Sequence, residues 1–473
     1  ASYGLSKPKN ISIQFNQKEK EFPLKKALFA LALVPVAALI AAPKFIAPQH
    51  QDVLSDIVAN INNAPGYSAE LVATKTRWFG SNNTLLLTLD MAQFGYPTQE
   101  DALQLELELD SQFGPILFAD QGMFGLFNTQ ISVAAPTLRN ALSWDEKQDF
   151  YRLSIMGDTS GNLKLMDVIP ELRSLDNELT FRGYSGQGEI TSDTIRYQGV
   201  AEDTQLSNGY TTIKAEDFGV SIDLDAGIET LLQGGFYGSE MTFTLNALEV
   251  NDRTKLSGLK VALSTAFDKE TALGNIGIGY FADAVTHQDI TVSDMAVVTE
   301  LNRLSNRFFL DYKAFAENML AQNTLNHDLY DPLLIFLQEN IDTLLSENPE
   351  FNITEIRATF PQGRVSASVT SAIVGMENPT LNALLTPEYW LYHTVAKANI
   401  KVDAALLNNL VERFIANQTG ASASAPHVKE RARMMIQPFV QQGFIRFVDG
   451  QAETQAVLEN GQVDVYGTVF PLM

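Results

Sequence analysis

The chain contains no cysteine, which excludes disulfides, thiolate metal sites and thiol nucleophiles. Histidine is scarce too. His50, His287, His327, His393 and His427 are the only five, and no two stand four residues apart, the spacing that sets a pair of metal ligands on one helix face. Positive charge is also short: 33 Lys and Arg stand against 56 Asp and Glu, for a net charge of −23. Nucleic acid is therefore a poor partner, because a polyanion would be repelled instead of releasing counterions. The same deficit argues against resting on an anionic lipid surface through charge alone. What the chain does have is length and apolar content. Its 473 residues, 45% of them hydrophobic, suffice for a sizeable core and for two or three domains.

The most apolar stretch lies near the start. Residues 27–42 (ALFALALVPVAALIAA) carry no charge and no strongly polar side chain. Sixteen residues fall short of the roughly 20 that cross a bilayer. Lys44 can snorkel, so the run extends through Phe45, Ile46 and Ala47 to a spanning length. The anchor residues proper are Ala27, Leu28, Phe29, Leu31, Leu33, Val34, Val36, Leu39 and Ile40. Pro35 among them is tolerated in a membrane helix at the cost of a kink. Before the run stand Lys7, Lys9, Lys18, Lys20, Lys25 and Lys26 against Glu19 and Glu21, a net +4, which leaves −27 on the remainder. Positive-inside bias then keeps the short tail in the cytoplasm and sends the acidic bulk across. A cleaved signal peptide has the same basic-then-apolar order, and a buried core helix is a further alternative.

Beyond Pro48 the residues Val53, Leu54, Ile57, Val58 and Ile61 fall at helical spacing within 52–62, which reads as a short amphipathic stalk. From there the period changes to two. Leu103, Leu105, Leu107 and Leu109 alternate with Gln104, Glu106 and Glu108, a strand with one dry and one wet acidic face. Similar alternation recurs at 85–91, 179–184, 189–197, 219–224, 241–245, 259–264 and 289–295. Turn-rich clusters at 185–188, 207–209, 234–235 and 274–279 separate these runs. No strict repeat emerges, so the pattern predicts a curled antiparallel meander, not a propeller or solenoid.

Residues 299–345 read as a helical hairpin. Leu301, Leu304, Phe308, Tyr312 and Phe315 form one stripe, and Leu329, Leu333, Phe336, Leu337 and Ile341 form another, with Asp331–Pro332 suited to a helix start. Strands are expected again at 355–360, 365–370 and 400–404, helices at 405–416 and 428–441, and closing strands at 444–448, 453–458 and 463–469. Asn460–Gly461 is a strong hairpin signal because both residues readily take positive φ.

Several short motifs resemble the YdgA family of bacterial envelope proteins. Tyr67, then Trp78-Phe79-Gly80-Ser81 before a Leu-rich strand, resembles the family's opening, as does Phe113-Gly114-Pro115, where Phe113 replaces the family's histidine. At the tail, Leu458-Glu459-Asn460-Gly461-Gln462-Val463 followed by Tyr466-Gly467 resembles its closing hairpins. The cytoplasmic tail is longer than is usual there. The resemblance implies a protein of a Gram-negative inner membrane facing the periplasm, with a homodimer as its candidate assembly, and implies no reaction.

Catalytic signatures are wanting. Gly183-Tyr184-Ser185-Gly186-Gln187 lacks the last glycine of a nucleophile elbow and reads as a β-turn. The glycines of 274–279 lack a strand–helix context and a following Lys-Ser/Thr, so they read as bulges within a strand. Residues 158–162 (DTSGN) have the oxygen density of a calcium loop without its order, and read as a solvated turn. Asp223 and Asp225 share the wet face of a strand, where carboxylates are ordinarily solvated. The expected fold class is α+β and β-dominant: long curled antiparallel sheet with a helical hairpin and C-terminal helices, preceded by one transmembrane helix. The expected organisation is a basic tail over 1–26, an anchor over 27–48, a β-rich periplasmic region over 49–300, the helical hairpin over 301–350, and a β/α region over 351–473. The expected role is a non-catalytic interaction or structural protein of the envelope, with no cofactor and no metal. Its partners would be the bilayer, other envelope proteins or a second copy. The alternative is a carrier that holds a lipid or other apolar ligand in a sheet groove lined by its 28 Phe, 14 Tyr and 3 Trp. Perturbed carboxylates gathered around His287 or His393 in a cleft would revive an enzymatic reading.

Overall fold

A computed structural model describes residues 50–52, 54–56, 58–59, 61–62, 66–90, 102–133, 135–288, 290–321, 330–376 and 379–472. The anchor residues Ala27 to Ile40 lie outside them. Among the described residues no helix is long and apolar enough to cross a membrane.

The fold is β-dominant α+β. One antiparallel sheet takes in 24 strands, and a separate two-stranded hairpin pairs Ile116–Ala119 with Gly122–Phe124. Nearly every strand pairs with its neighbour in the chain, from Tyr67–Arg77 at one edge to Thr468–Pro471 at the other. The strand Thr212–Leu224 forks the sheet. Its second half pairs with Ile195–Ala201, and its first half with Thr204–Ser207, beyond which lie Leu179–Phe181, Leu172–Ser174 and Leu142–Ser143.

The first and last strands are both blunted. The first strand is broken by a register shift between Leu71 and Ala73, and the last carries Pro471; both devices oppose addition of a further strand.

Helices cover parts of the sheet. The residues of 50–62 that read as a stalk do not stand off. Leu54 packs with Ala69, Leu85 and Leu109, and Val58 and Ile61 join them, because the helix's apolar stripe fits the leucine face of the first three strands. The helical hairpin comprises Asn306–Ala321 and Tyr330–Leu345, knit by Phe308, Phe315 and Phe336, whose rings lie 4.8–5.7 Å apart. Its start differs from the sequence reading. Leu301 and Leu304 belong to the strand Ile290–Ser305, not the helix, since Leu301 pairs with Ile276 and Phe351 across the ladder. At the far end, Ala404–Thr419 and Pro426–Gln441 close on Ile415, Ala416, Val428 and Ala432.

The final hairpins follow the turn chemistry. Asn460 and Gly461 have φ of 51° and 72°, and Tyr466 and Gly467 have φ of 53° and 90°, the paired left-handed geometry of a two-residue turn.

Candidate apolar binding face

Residues directly opposite one another in an antiparallel ladder share a face. One such row runs Leu109, Ile131, Leu153, Asp167, Gly186, Gly199, Val220 and Phe243. It continues through Val261, Tyr280, Val297, Ile356, Ala367, Ile400 and Thr454. The adjoining row runs Ser111, Thr129, Ile155, Leu165, Gly188, Tyr197, Ile222 and Met241, then Leu263, Ile278, Thr299, Ile353, Val369, Ala398 and Ala456. At about 4.8 Å per strand, each row is roughly 70 Å long. Asp167 is the only ionisable carboxylate or cation in either.

The two ends of this face are covered. The helical residues around Leu54, Val58 and Ile61 lie over Leu85 and Leu109. At the other end Phe444 packs on Phe470 at 4.8 Å, and the Thr454 hydroxyl donates to the Phe444 carbonyl at 2.9 Å. The middle is open. Phe218, Tyr280, Val297, Leu301, Phe351 and Ile400 are all exposed there. The opposite face is polar. Lys164, Glu189, Arg196 and Asp223, which alternate with the apolar rows, line a cleft of about 610 Å³.

Two polar clusters interrupt the apolar face. In the first, His50 Nε2 meets the Thr129 hydroxyl at 2.8 Å and that of Ser111 at 3.3 Å, with Ser111 and Thr129 themselves 3.0 Å apart. The His50 ring sits edge-on to Phe113 and Phe127 at 5.3 and 5.6 Å. Burial pulls its pKa below the usual histidine value, so the neutral ring is the native form.

The second cluster surrounds buried Asp167. Tyr197 donates to Oδ1 at 2.8 Å, Tyr151 donates to Oδ2 at 3.3 Å, and Tyr184 meets the Tyr197 hydroxyl. Burial, then the Asp167 charge, pushes the Tyr151 hydroxyl up to about 12; burial raises Tyr197 further, aided by its bonds to Tyr184 and Asp167. Glycines make this possible: a Cβ at Gly186 would strike the Tyr197 hydroxyl and Asp167, and one at Gly199 the Tyr184 hydroxyl. This corrects the reading of Gly183–Gln187 as a turn. Tyr184–Ile190 is a strand, and Gly186 and Gly188 leave room for Tyr197 of the neighbouring strand.

Residues 24–473 match a family described as a bacterial protein of unknown function, DUF945. The chain belongs to that family. No curated protein and no solved structure matches it. Within this family member the singled-out motif residues have turn-making positions. Tyr67 opens the first strand, Trp78 and Phe79 form the turn after it, and Gly80 and Ser81 open the second strand. A Cβ at Gly80 would strike the Ser111 carbonyl, and one at Gly114 the Gly125 carbonyl; the Pro115 carbonyl accepts the Gly125 N–H at 3.2 Å. Trp78, Phe79, Gly80, Ser81, Gly114 and Pro115 meet at one end of the first three strands, Tyr67 lies at the other end beside Leu89, and Asn460, Gly461, Tyr466 and Gly467 sit at the opposite edge of the sheet.

The remaining candidates fall apart from one another. Asp223 is exposed beside Arg196 at 3.3 Å. Asp158 accepts backbone N–H groups of Ser160 and Asn162 at 2.8 and 3.0 Å, a self-satisfied turn. The 274–279 glycines lie in Leu273–His287, with a register shift between Gly274 and Ile276. His287 meets the Thr254 hydroxyl at 2.8 Å and His393 the Val374 carbonyl at 2.9 Å. Among the described residues no group of three or more His, Asp and Glu is placed to hold a metal. Sequence reasoning missed His50 and Asp167. Asp167 was detectable, since it stands in phase with Leu163, Leu165 and Ile169 in an alternating strand, a charge where the pattern calls for an apolar residue.

Proposed function

We propose that this chain is a membrane-anchored envelope protein whose sheet carries the acyl chain of a lipid along its apolar face. The observation behind this reading is the pair of rows some fifteen strands long, almost without charge, whose middle is exposed while both ends are capped. An acyl chain is long, thin and uniformly apolar, and each methylene laid on such a surface contributes about 0.8 kcal/mol. A protein partner would call for a compact patch with a polar rim and about one hydrogen bond per 100–200 Å², which these rows do not offer. Strand addition is opposed by the bulged first strand and by Pro471. The apolar surface is an open face, not a closed cavity, so a chain enters from the side. This favours the carrier over the interaction module that composition alone put first.

The anchor part of the proposal rests on residues 27–47 and their lysine flank, with the amino end cytoplasmic and the acidic body in the periplasm. A reporter fused after Met473 is expected to be active only outside the cytoplasm; activity inside would end this part.

For the carrier, mass spectrometry of gently purified protein should find co-purified lipid. Val297→Glu and Tyr280→Glu should deplete it, whereas Lys260→Glu on the polar face should not. Lipid at detergent background in the unaltered protein would return the interaction module to first place.

A further inference from the structure

One end of the first strands is unusually apolar on the outside. Trp78 and Phe79 form the tip of the first turn, and both are more than half exposed. Beside them the hairpin Ile116–Phe124 displays Phe118 at 84%, Phe124 at 70% and Met123 at 61% exposure. One large exposed side chain is ordinary, but several on a turn and its adjoining hairpin mark a contact surface.

The hairpin is held firmly. Gly114 donates to the Leu126 carbonyl at 2.7 Å, Gly125 to that of Pro115 at 3.2 Å, and Phe113 to that of Phe79 at 2.9 Å. Its own Leu117 is fully buried, and Gln121 donates to the Ser154 carbonyl at 3.1 Å. The exposed rings are therefore presented on a rigid support.

What covers them is indicated by where the chain comes from. The apolar run of the sequence ends at Ala47, and His50, three residues later, lies against Phe113 and Phe127. Phe113 and Phe127 pair with each other at this same end of the strands. Three residues span at most about 10 Å. The chain thus leaves its anchor at the corner that displays Trp78, Phe79, Phe118, Met123 and Phe124. Trp and Phe on a turn and a hairpin tip, with Asp120 as the single charge between Gly114 and Phe127, suit the interfacial zone of a bilayer.

We propose that this corner docks into the lipid surface, the 78–79 turn and the 116–124 hairpin inserting as a second, non-covalent foothold beside the anchor. Two footholds fix the tilt of the sheet and bring the capped end of the apolar face to the bilayer. The inference rests on the anchor reading above, and the test separates the two.

The absence of cysteine permits single-site labelling of the full chain. Phe118→Cys, Phe124→Cys and Tyr210→Cys would each carry an environment-sensitive NBD fluorophore. Tyr210, almost wholly exposed, lies in the turn before Thr212, at the opposite end of the strands. The protein is reconstituted in phosphatidylcholine vesicles with or without nitroxide-labelled acyl chains. Loss of emission to the nitroxide lipid is expected at positions 118 and 124, and none at 210. Equal, negligible quenching at all three positions in vesicle-bound protein would overturn this proposal and leave the anchor standing. Shielding of 118 and 124 from both nitroxide lipid and aqueous iodide would also overturn it, in favour of a protein partner or second copy. Protein that does not float with the vesicles would overturn the anchor reading and this inference together.

Discussion

Substituting Gly186 by alanine tests the packing logic of the apolar face at its one charged position. A Cβ there collides with both the Tyr197 hydroxyl and the Asp167 carboxylate, so the tyrosine must swing away and give up its 2.8 Å bond. A hydrogen bond to a charged group is worth about 1.5–3 kcal/mol, and forced overpacking costs a further ~1–3 kcal/mol. The expected loss is about 3–5 kcal/mol in urea or guanidinium denaturation. Gly161→Ala supplies the scale. Gly161 has φ of 88°, and a Cβ added there would meet no atom within 4 Å, so its cost is confined to backbone strain of about 1–2 kcal/mol. Adding Tyr197→Phe removes the nearest of the obstructing atoms, though not Asp167 or the ring, and forfeits the same hydrogen bond that Gly186→Ala breaks, so the double variant should lose less than the sum of the two singles. A Gly186→Ala loss no larger than that of Gly161→Ala, or strict additivity with Tyr197→Phe, would refute the reasoning.

Other expectations follow from the same contacts. His50 is held neutral by burial, so the unfolded chain binds the extra proton. Its contribution to stability is present above an unfolded pKa of about 6.5 and is lost as the pH falls below it; His50→Gln should flatten that part of a denaturation-midpoint profile. Leu54→Ala should cost about 2–4 kcal/mol and speed amide exchange across the 50–62 helix, since Leu54 is the buried contact joining it to Ala69, Leu85 and Leu109; unchanged exchange would contradict its docking. Gly461→Ala, at φ of 72° and with Tyr392 close to the added Cβ, should cost about 1–2 kcal/mol and leave amide exchange in the strand Tyr67–Arg77, at the opposite edge of the sheet, unchanged.

The sequence makes much of this fold legible where local chemistry and period agree. The alternation of Leu103 to Leu109 became the strand Ala102–Phe113, Asp331–Pro332 fell in the first turn of its helix, and Asn460–Gly461 made its hairpin. It misleads where a tertiary neighbour gives a residue its purpose. Gly186 and Gly188 look like turn formers, yet the Tyr197 side chain they accommodate sits on another strand. Leu301 and Leu304 have helical spacing because the strand twists at Arg303, whose φ is 59°.

The apolar face was hidden for a further reason. Along single strands its phase slips: Ala215 and Phe218 face Leu248 and Leu245, which in turn face Leu256 and Leu259. The slip occurs beside Asp217, Gly258 and Asp294, each at positive φ. A period-two reading breaks at each of these points, and only the cross-strand register restores the continuous surface. His50 left no signal in the chain, because its partners Ser111 and Thr129 are supplied by strands far along it.

The central claim is that an acyl chain lies on the open middle of this face. A photo-reactive benzoylphenylalanine at Val297, in the full chain and in intact cells, reports its occupant directly. A lipid-mass adduct at Val297, absent when the same group replaces Lys260 on the polar face, is the expected result. Adducts to protein alone at Val297, or equal lipid labelling at both positions, would contradict the account.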